Sequence, residues 1–179
     1  MRIIAGSARG TPLLAPRGMD TRPTQDKVKE SLFNMLQGAW EGGAALDLFA
    51  GSGALGLEAV SRGAELAVLV DQSKEAAQCI RRNIEKLRFQ DRAELLNCDW
   101  KQAVSKLARE GRRFELVFLD PPYRMDDLAP LCGELAEAGL LAPEAIIVWE
   151  RRTGTEKTLP SAFALFKQRA YGDKEMLLY

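Results

Sequence analysis

The chain has 179 residues, enough for one domain with a substantial core, and its 46% apolar and 28% charged residues are the balance of an ordinary soluble protein. Lys plus Arg and Asp plus Glu number 25 each, so net charge announces no nucleic-acid partner, and the absence of histidine excludes histidine general bases, Ser–His and Cys–His pairs and histidine metal ligands. No run approaches the ~18 apolar residues of a membrane span, the first residues are too short an apolar stretch for a signal peptide, and Cys79, Cys98 and Cys132 match neither a disulfide frame nor a zinc site, so the expectation is a cytoplasmic, metal-free monomer with reduced thiols.

Residues 1–23 are rich in Gly, Pro and Arg and form an N-terminal extension, with residues 24–179 as the domain proper. Arg2–Ala5 and Thr11–Leu14 are expected to make two short strands around a glycine turn. Over residues 1–24, Arg2, Arg9, Arg17 and Arg22 stand against Asp20 alone, so this arm is basic and the body acidic. Thr24 is placed to cap a helix carrying Val28, Leu32, Met35 and Leu36 at helical spacing. From Ala44 the pattern alternates. Strands are expected at Ala45–Phe49, Leu66–Val70, Glu94–Asn97, Phe114–Leu119 and Ala145–Trp149, with helices at Ala54–Arg62, Ser73–Arg88, Lys101–Glu110 and Leu128–Glu137 between them. Ala162–Ala170 and Glu175–Tyr179 follow as a last pair across a Gly172-Asp173 turn, and so run antiparallel. The fold class is α/β. The expected core is a Rossmann-like, mostly parallel seven-stranded sheet with one reversed strand, helices on both faces and a short N-terminal hairpin.

Gly51-Ser52-Gly53-Ala54-Leu55-Gly56 is a G-x-G-x-x-G run between a strand and a helix, and Asp71 ends the next strand 20 residues after Gly51. Taken alone, that pattern fits a nicotinamide dehydrogenase. Asp47 argues otherwise: a carboxylate just before the glycine turn repels a pyrophosphate and suits a cationic amino-acid head group. The chain also leaves little room for a separate substrate domain. S-adenosylmethionine carries an ammonium and a sulfonium and no phosphate. Asp71 then suits the ribose hydroxyls, and Asp99, at the end of the third strand, suits an adenine amino group. Phe49, Gln72 and Trp100 flank these positions.

Asp120-Pro121-Pro122-Tyr123 stops a buried strand abruptly, because neither proline can donate to a sheet ladder. It leaves a carboxylate, stiff carbonyls and an aromatic ring where open α/β sheets bind ligands. An exocyclic amine on a base is a poor nucleophile until hydrogen bonds from its N–H groups localise its lone pair. Asp120 and a carbonyl of the Pro121-Pro122 segment can accept those bonds, and Tyr123 offers a stacking surface for a base removed from its stack. The catalytic candidates are therefore Asp120, Pro121 and Tyr123.

With these residues in place, the chain resembles the class I S-adenosylmethionine-dependent methyltransferases. More narrowly, it is similar to the bacterial small-subunit ribosomal RNA guanine-N2 methyltransferases of the D type. Arg2-Ile3-Ile4-Ala5-Gly6 with Arg9-Gly10, Thr21-Arg22-Pro23-Thr24 with the helix after it, the Asp47–Ala59 loop, and Tyr171-Gly172-Asp173 with the closing Leu-Leu-Tyr carry this narrower likeness. The resemblance implies S-adenosylmethionine as cofactor, with Asp47, Gly51, Gly53, Asp71 and Asp99 around it, and Phe49, Gln72 and Trp100 are further candidates for cofactor contacts. It also implies guanine 966 of 16S rRNA in a small-subunit particle as substrate. Arg22 and Thr24 would line the substrate side, and Arg2, Arg9 and Arg124 are candidates for RNA contacts. Asp-Pro-Pro-Tyr is shared with adenine-N6 and cytosine-N4 enzymes, so a DNA amino-methyltransferase stays open, as does a non-catalytic RNA-binding assembly module.

Overall fold

The computed structural model of the protein describes residues 1–17, 23–121, 125, 127–154 and 158–179, without the side chains of 23 and 24. After helix α1 (Pro23–Leu36), strands β1 (Ala44–Asp47), β2 (Leu66–Val70), β3 (Ala93–Leu96), β4 (Phe114–Leu119) and β5 (Leu141–Arg152) pair in parallel. Helices α2 (Ala54–Ser61), α3 (Lys74–Leu87), α4 (Trp100–Arg109) and α5 (Ala129–Glu137) make the crossovers. Strands β6 (Lys167–Tyr171) and β7 (Lys174–Leu178) complete one sheet of order β3-β2-β1-β4-β5-β7-β6, with β7 antiparallel to both neighbours. The expected seven-stranded sheet with one reversed strand is present. The strand order turns back between β1 and β4, and such a switch opens a crevice at the strands' carboxyl ends.

The central strands read as continuous apolar runs because both of their faces are covered. Leu46, Val68, Val117 and Trp149 point into one layer with Val104 and Leu107 of α4 and Leu131 and Leu135 of α5. Their neighbours Ala45, Leu69, Phe118 and Val148 point into the other, with Leu32, Phe33 and Leu36 of α1, Leu57 of α2 and Ile80 of α3. Strand β6 is exposed along most of its length and carries Lys167 and Arg169, a charged edge that resists pairing with another sheet.

Four sequence expectations change. Helix α1 begins at Pro23, so Thr24 lies inside the first turn and is not the cap; proline suits that first position because its missing N–H would have no helical partner. Strand β5 is longer than Ala145–Trp149, with a register shift against β4 near Glu144, whose φ is 59°. Strand β6 is shorter than expected and starts at Lys167.

The fourth change concerns the arm, whose expected hairpin is present as a single antiparallel bridge. Among the described residues its one bridge is Arg2 with Pro12, supported by Ile3 N–H to Thr11 O at 2.9 Å and Gly10 N–H to Ile3 O at 2.8 Å. Other backbone groups of the arm bond to helix side chains, which satisfy them as a ladder would. Glu58 accepts from Ile4 N–H at 2.8 Å and Ala5 N–H at 3.0 Å. Ser61 Oγ donates to Ala5 O at 2.6 Å and accepts from Ala8 N–H at 3.0 Å. Asn83, fully buried, accepts from Leu14 N–H at 2.8 Å and donates to Leu14 O at 2.9 Å, and Lys86 donates to Pro12 O at 2.6 Å. Gly6 makes the approach possible: its φ is 82°, and a Cβ there would lie 1.8 Å from Ser61 O. Glu58 also binds Lys29 Nζ at 3.2 Å and Arg62 Nε at 2.7 Å, so one buried carboxylate ties the arm, α1 and α2 together.

Candidate active site

Five acidic residues stand on one rim of the sheet, at the carboxyl ends of five adjacent strands. Asp47 is the last residue of β1, Asp71 follows β2, Asp120 follows β4, and Asp99 lies just beyond β3. Glu150 lies on β5, one step beyond the Leu119–Trp149 register pair. In sheet order they run Asp99, Asp71, Asp47, Asp120, Glu150. Asp71 and Asp47 hold the glycine turn, and Asp47, Asp120 and Glu150 face a cavity beside it.

In the cofactor half, Asp47 is 2% exposed and its Oδ2 accepts from Gly56 N–H at 3.3 Å. Burial raises its carboxyl to about 7 against the partial relief of that hydrogen bond, and the Asp71 carboxylate adds to the rise. A buried acid with so little local compensation is suited to a cationic ligand group. Gly56 lets α2 lie directly on β2, since a Cβ there would be 2.2 Å from Leu69 Cδ2. The left-handed Gly53 leads into α2 with no side-chain cap. Asp71 accepts from Gly51 N–H through Oδ2 and from Ser73 N–H through Oδ1, both at 2.8 Å. Each of its oxygens keeps lone-pair capacity for a diol. Gln72 is exposed beside it, and Asn97 Nδ2 donates to Asp71 O at 2.8 Å. Asp99 caps α4 by accepting from Lys101 N–H at 2.9 Å, and Trp100 is half-buried next to it. The sequence-identified cofactor residues are thus gathered on one contiguous stretch of rim.

Beside the glycine turn lies a cavity of about 440 Å³ whose walls include Phe49, Asp47, Asp120, Glu150, Tyr171 and Lys174. Lys174 Nζ donates to Glu150 Oε1. The surface of Asp120 is exposed, but it opens onto this cavity, and the surrounding protein together with the Glu150 carboxylate raises its carboxyl above the usual range while Lys174 opposes the rise. Water at that open face moderates the effect. Pro121 follows, half-buried. Tyr123, Arg124 and Arg22 lie outside the described residues, as does the side chain of Thr24. Arg2 is exposed at the cavity's edge, where its carbonyl accepts from the lining residue Lys29 at 2.6 Å; Arg9 is exposed in the arm's turn and does not line the cavity. Among the described residues no group of three or more His, Cys, Asp or Glu side chains could hold a metal, and no helix is long and apolar enough to cross a membrane.

The chain matches the family model described as conserved hypothetical protein 95 over residues 1–179. The chain belongs to this family. It is 37% identical over 180 residues to the ribosomal RNA small subunit methyltransferase D of Escherichia coli strain K12, covering 100% of this chain and 89% of that one. The Haemophilus influenzae protein of the same name is 34% identical over 180 residues, covering 100% and 93%. Among solved structures, the Thermus thermophilus hypothetical protein TTHA0928 superposes with a TM-score of 0.81 at 32% identity, covering 99% of this chain and 98% of that one. The family is thus that of the D-type small-subunit rRNA methyltransferases, and the fold is that of class I S-adenosylmethionine-dependent methyltransferases.

Sequence reasoning missed Glu150, Lys174, Asn83 and the Glu58–Lys29 pair. The rule that found the four aspartates, an acid at a strand's end, also applies to Glu150, which directly follows the apolar run Ala145–Trp149. Asn83 offered no such signal. Its Nδ2 also donates to Ser52 O at 2.9 Å, so the same side chain holds the arm and the glycine turn.

Proposed function

We propose that this protein transfers a methyl group from S-adenosylmethionine to the exocyclic N2 amine of a guanine in 16S rRNA, guanine 966 by family likeness. Methylation of ribosomal RNA with S-adenosylmethionine as donor is the activity of the family. The guanine amine, the nucleotide and the small-subunit particle as substrate are the finer proposals. The observation that carries methylation of an amine is the position of Asp120 in the cavity beside the Asp47–Gly56 turn, and the choice of guanine and of its place in the small subunit rests on the likeness to the D-type enzymes. When bound there, the cofactor supplies the methyl group. Asp47 faces its ammonium, and Asp71 and Asp99 face its ribose and adenine. Asp120 accepts one N–H of the target amine and a carbonyl of the proline segment accepts the other, which localises the nitrogen lone pair and aims it in line at the methyl carbon. Asp120 or a water beside it then takes the proton released by the amine. Tyr123 is the proposed stacking surface. The 1–23 arm, with Arg2, Arg9 and Arg22, is the proposed RNA-contacting extension, joined by Thr24 and Arg124.

The test is transfer of labelled methyl groups to small ribosomal subunits lacking the modification, with naked rRNA and duplex DNA in parallel and the labelled nucleoside identified by mass spectrometry. N2-methylguanosine from the subunit is the expected product. Label on adenine or cytosine of DNA would replace this assignment with that of a DNA amino-methyltransferase, and absence of label from every substrate would favour a binding module.

A further inference from the structure

We infer that Glu150 is a specificity-determining residue that reads the N1–H of the target guanine beside the amine held by Asp120; this rests on the guanine-N2 assignment. Strands β4 and β5 are parallel and Leu119 stands opposite Trp149, so the next residues, Asp120 and Glu150, are neighbours across the ladder. Residues in register on adjacent parallel strands point to the same face, and adjacent strands lie roughly 4.8 Å apart. Both side chains line the same cavity. Lys174 donates to Glu150 Oε1 and holds that carboxylate, whose side chain is only 12% exposed.

Apart from the Lys174 ammonium that already serves Glu150 Oε1, Asp120 and Glu150 set two carboxyl groups side by side on one wall of the cavity, where their ionised oxygens accept. Guanine is the base whose pairing edge carries two adjacent donors next to the target, N1–H and N2–H. Adenine places its N1 acceptor beside the N6 amine, and cytosine places N3 beside the N4 amine. Either would set a lone pair against the mostly buried Glu150 carboxylate in place of a donor, a mismatch that costs more than losing one hydrogen bond.

The experiment compares small subunits reconstituted with either guanine or 2-aminopurine at the methylated nucleotide. 2-Aminopurine keeps the N2 amine but presents N1 as an acceptor. Wild-type protein is expected to prefer guanine by about 100-fold or more in kcat/KM. Glu150→Gln, whose amide can donate to N1 or accept from N1–H, is expected to bring the two substrates within about 10-fold of one another. The comparison is a ratio on one protein and is insensitive to partial loss of folded variant. The wild-type arm needs no variant at all. Equal methylation of guanine and 2-aminopurine by the wild type, or an unchanged ratio in Glu150→Gln, overturns the role of Glu150 alone. Label on the amine of another base overturns the guanine assignment together with it.

Discussion

Replacing Asp47 by asparagine tests the electrostatic design of the cofactor site, because the charge of Asp47 opposes folding of the unliganded protein. Its carboxyl rises from an ordinary 3.8 to about 7 in the fold, chiefly through burial. The folded state therefore binds the proton more tightly than the unfolded chain, and stability falls as pH rises between those two values. Full ionisation costs the native state about 4 kcal/mol, and the part of this that develops between pH 5 and pH 8 is about 2 to 3 kcal/mol. The substituted asparagine does not titrate. Whatever its amide costs at this site is the same at both pH values, so the difference between variant and wild type isolates the charge. Asp47→Asn is expected to gain on the wild type by about 2 to 3 kcal/mol between pH 5 and pH 8, or roughly 5 to 10 °C in Tm for a chain of this size. The loss of repulsion toward Asp71 and Asp120 acts in the same direction. Denaturant unfolding of both proteins at the two pH values measures it. Saturating S-adenosylmethionine should reverse the order at pH 8, since its ammonium stabilises the ionised acid in the wild type only. A gap that stays constant from pH 5 to pH 8 would refute the reasoning.

The other predictions concern separate parts of the molecule. Asp120→Asn should abolish methyl transfer while calorimetric binding of S-adenosylmethionine persists; loss of that binding in a folded variant would remove Asp120 from its assigned role. Glu58→Ala strands the buried Lys29 ammonium and the Ile4 and Ala5 N–H groups, so a loss of about 3 to 5 kcal/mol is expected on denaturation, together with faster protease cleavage within residues 1–17; unchanged cleavage would mean that Glu58 does not hold the arm. Gly56→Ala sets a methyl group against Leu69 and should cost about 1 to 3 kcal/mol and weaken cofactor binding, and an equally stable variant with normal affinity would show that α2 can lift from β2 freely.

The strand-end acids were legible because each follows an apolar run whose end is marked by a turn. Asp47, Asp71, Asp99 and Asp120 need only the β–α alternation to be placed on one rim. Glu150 obeys the same logic but has no proline or glycine after it, because β5 runs on to Arg152 and pairs with β7 there. The arm was legible only in part. Its alternation suggests a hairpin, which is present as one bridge between Arg2 and Pro12, but its remaining hydrogen bonds go to side chains at 58, 61, 83 and 86, and local pattern carries no record of partners so far along the chain. Thr24 looked like a cap because threonine often is one, but the preceding proline already satisfies the requirement of a first helical residue.

The anchoring of the arm has a consequence for how the molecule is made. Residues 1–14 are made before the residues that hold them: Ile4 is held by Glu58 54 residues later, Leu14 by Asn83 69 residues later and Pro12 by Lys86 74 residues later. This segment therefore has no place to dock until the chain has been synthesised through α3, and contacts that close such long loops slow folding. Asn83 binds Leu14 and Ser52 together, so that event also fixes the glycine turn. The glycine turn thus gains its last side-chain support when this earlier-made segment is tied down.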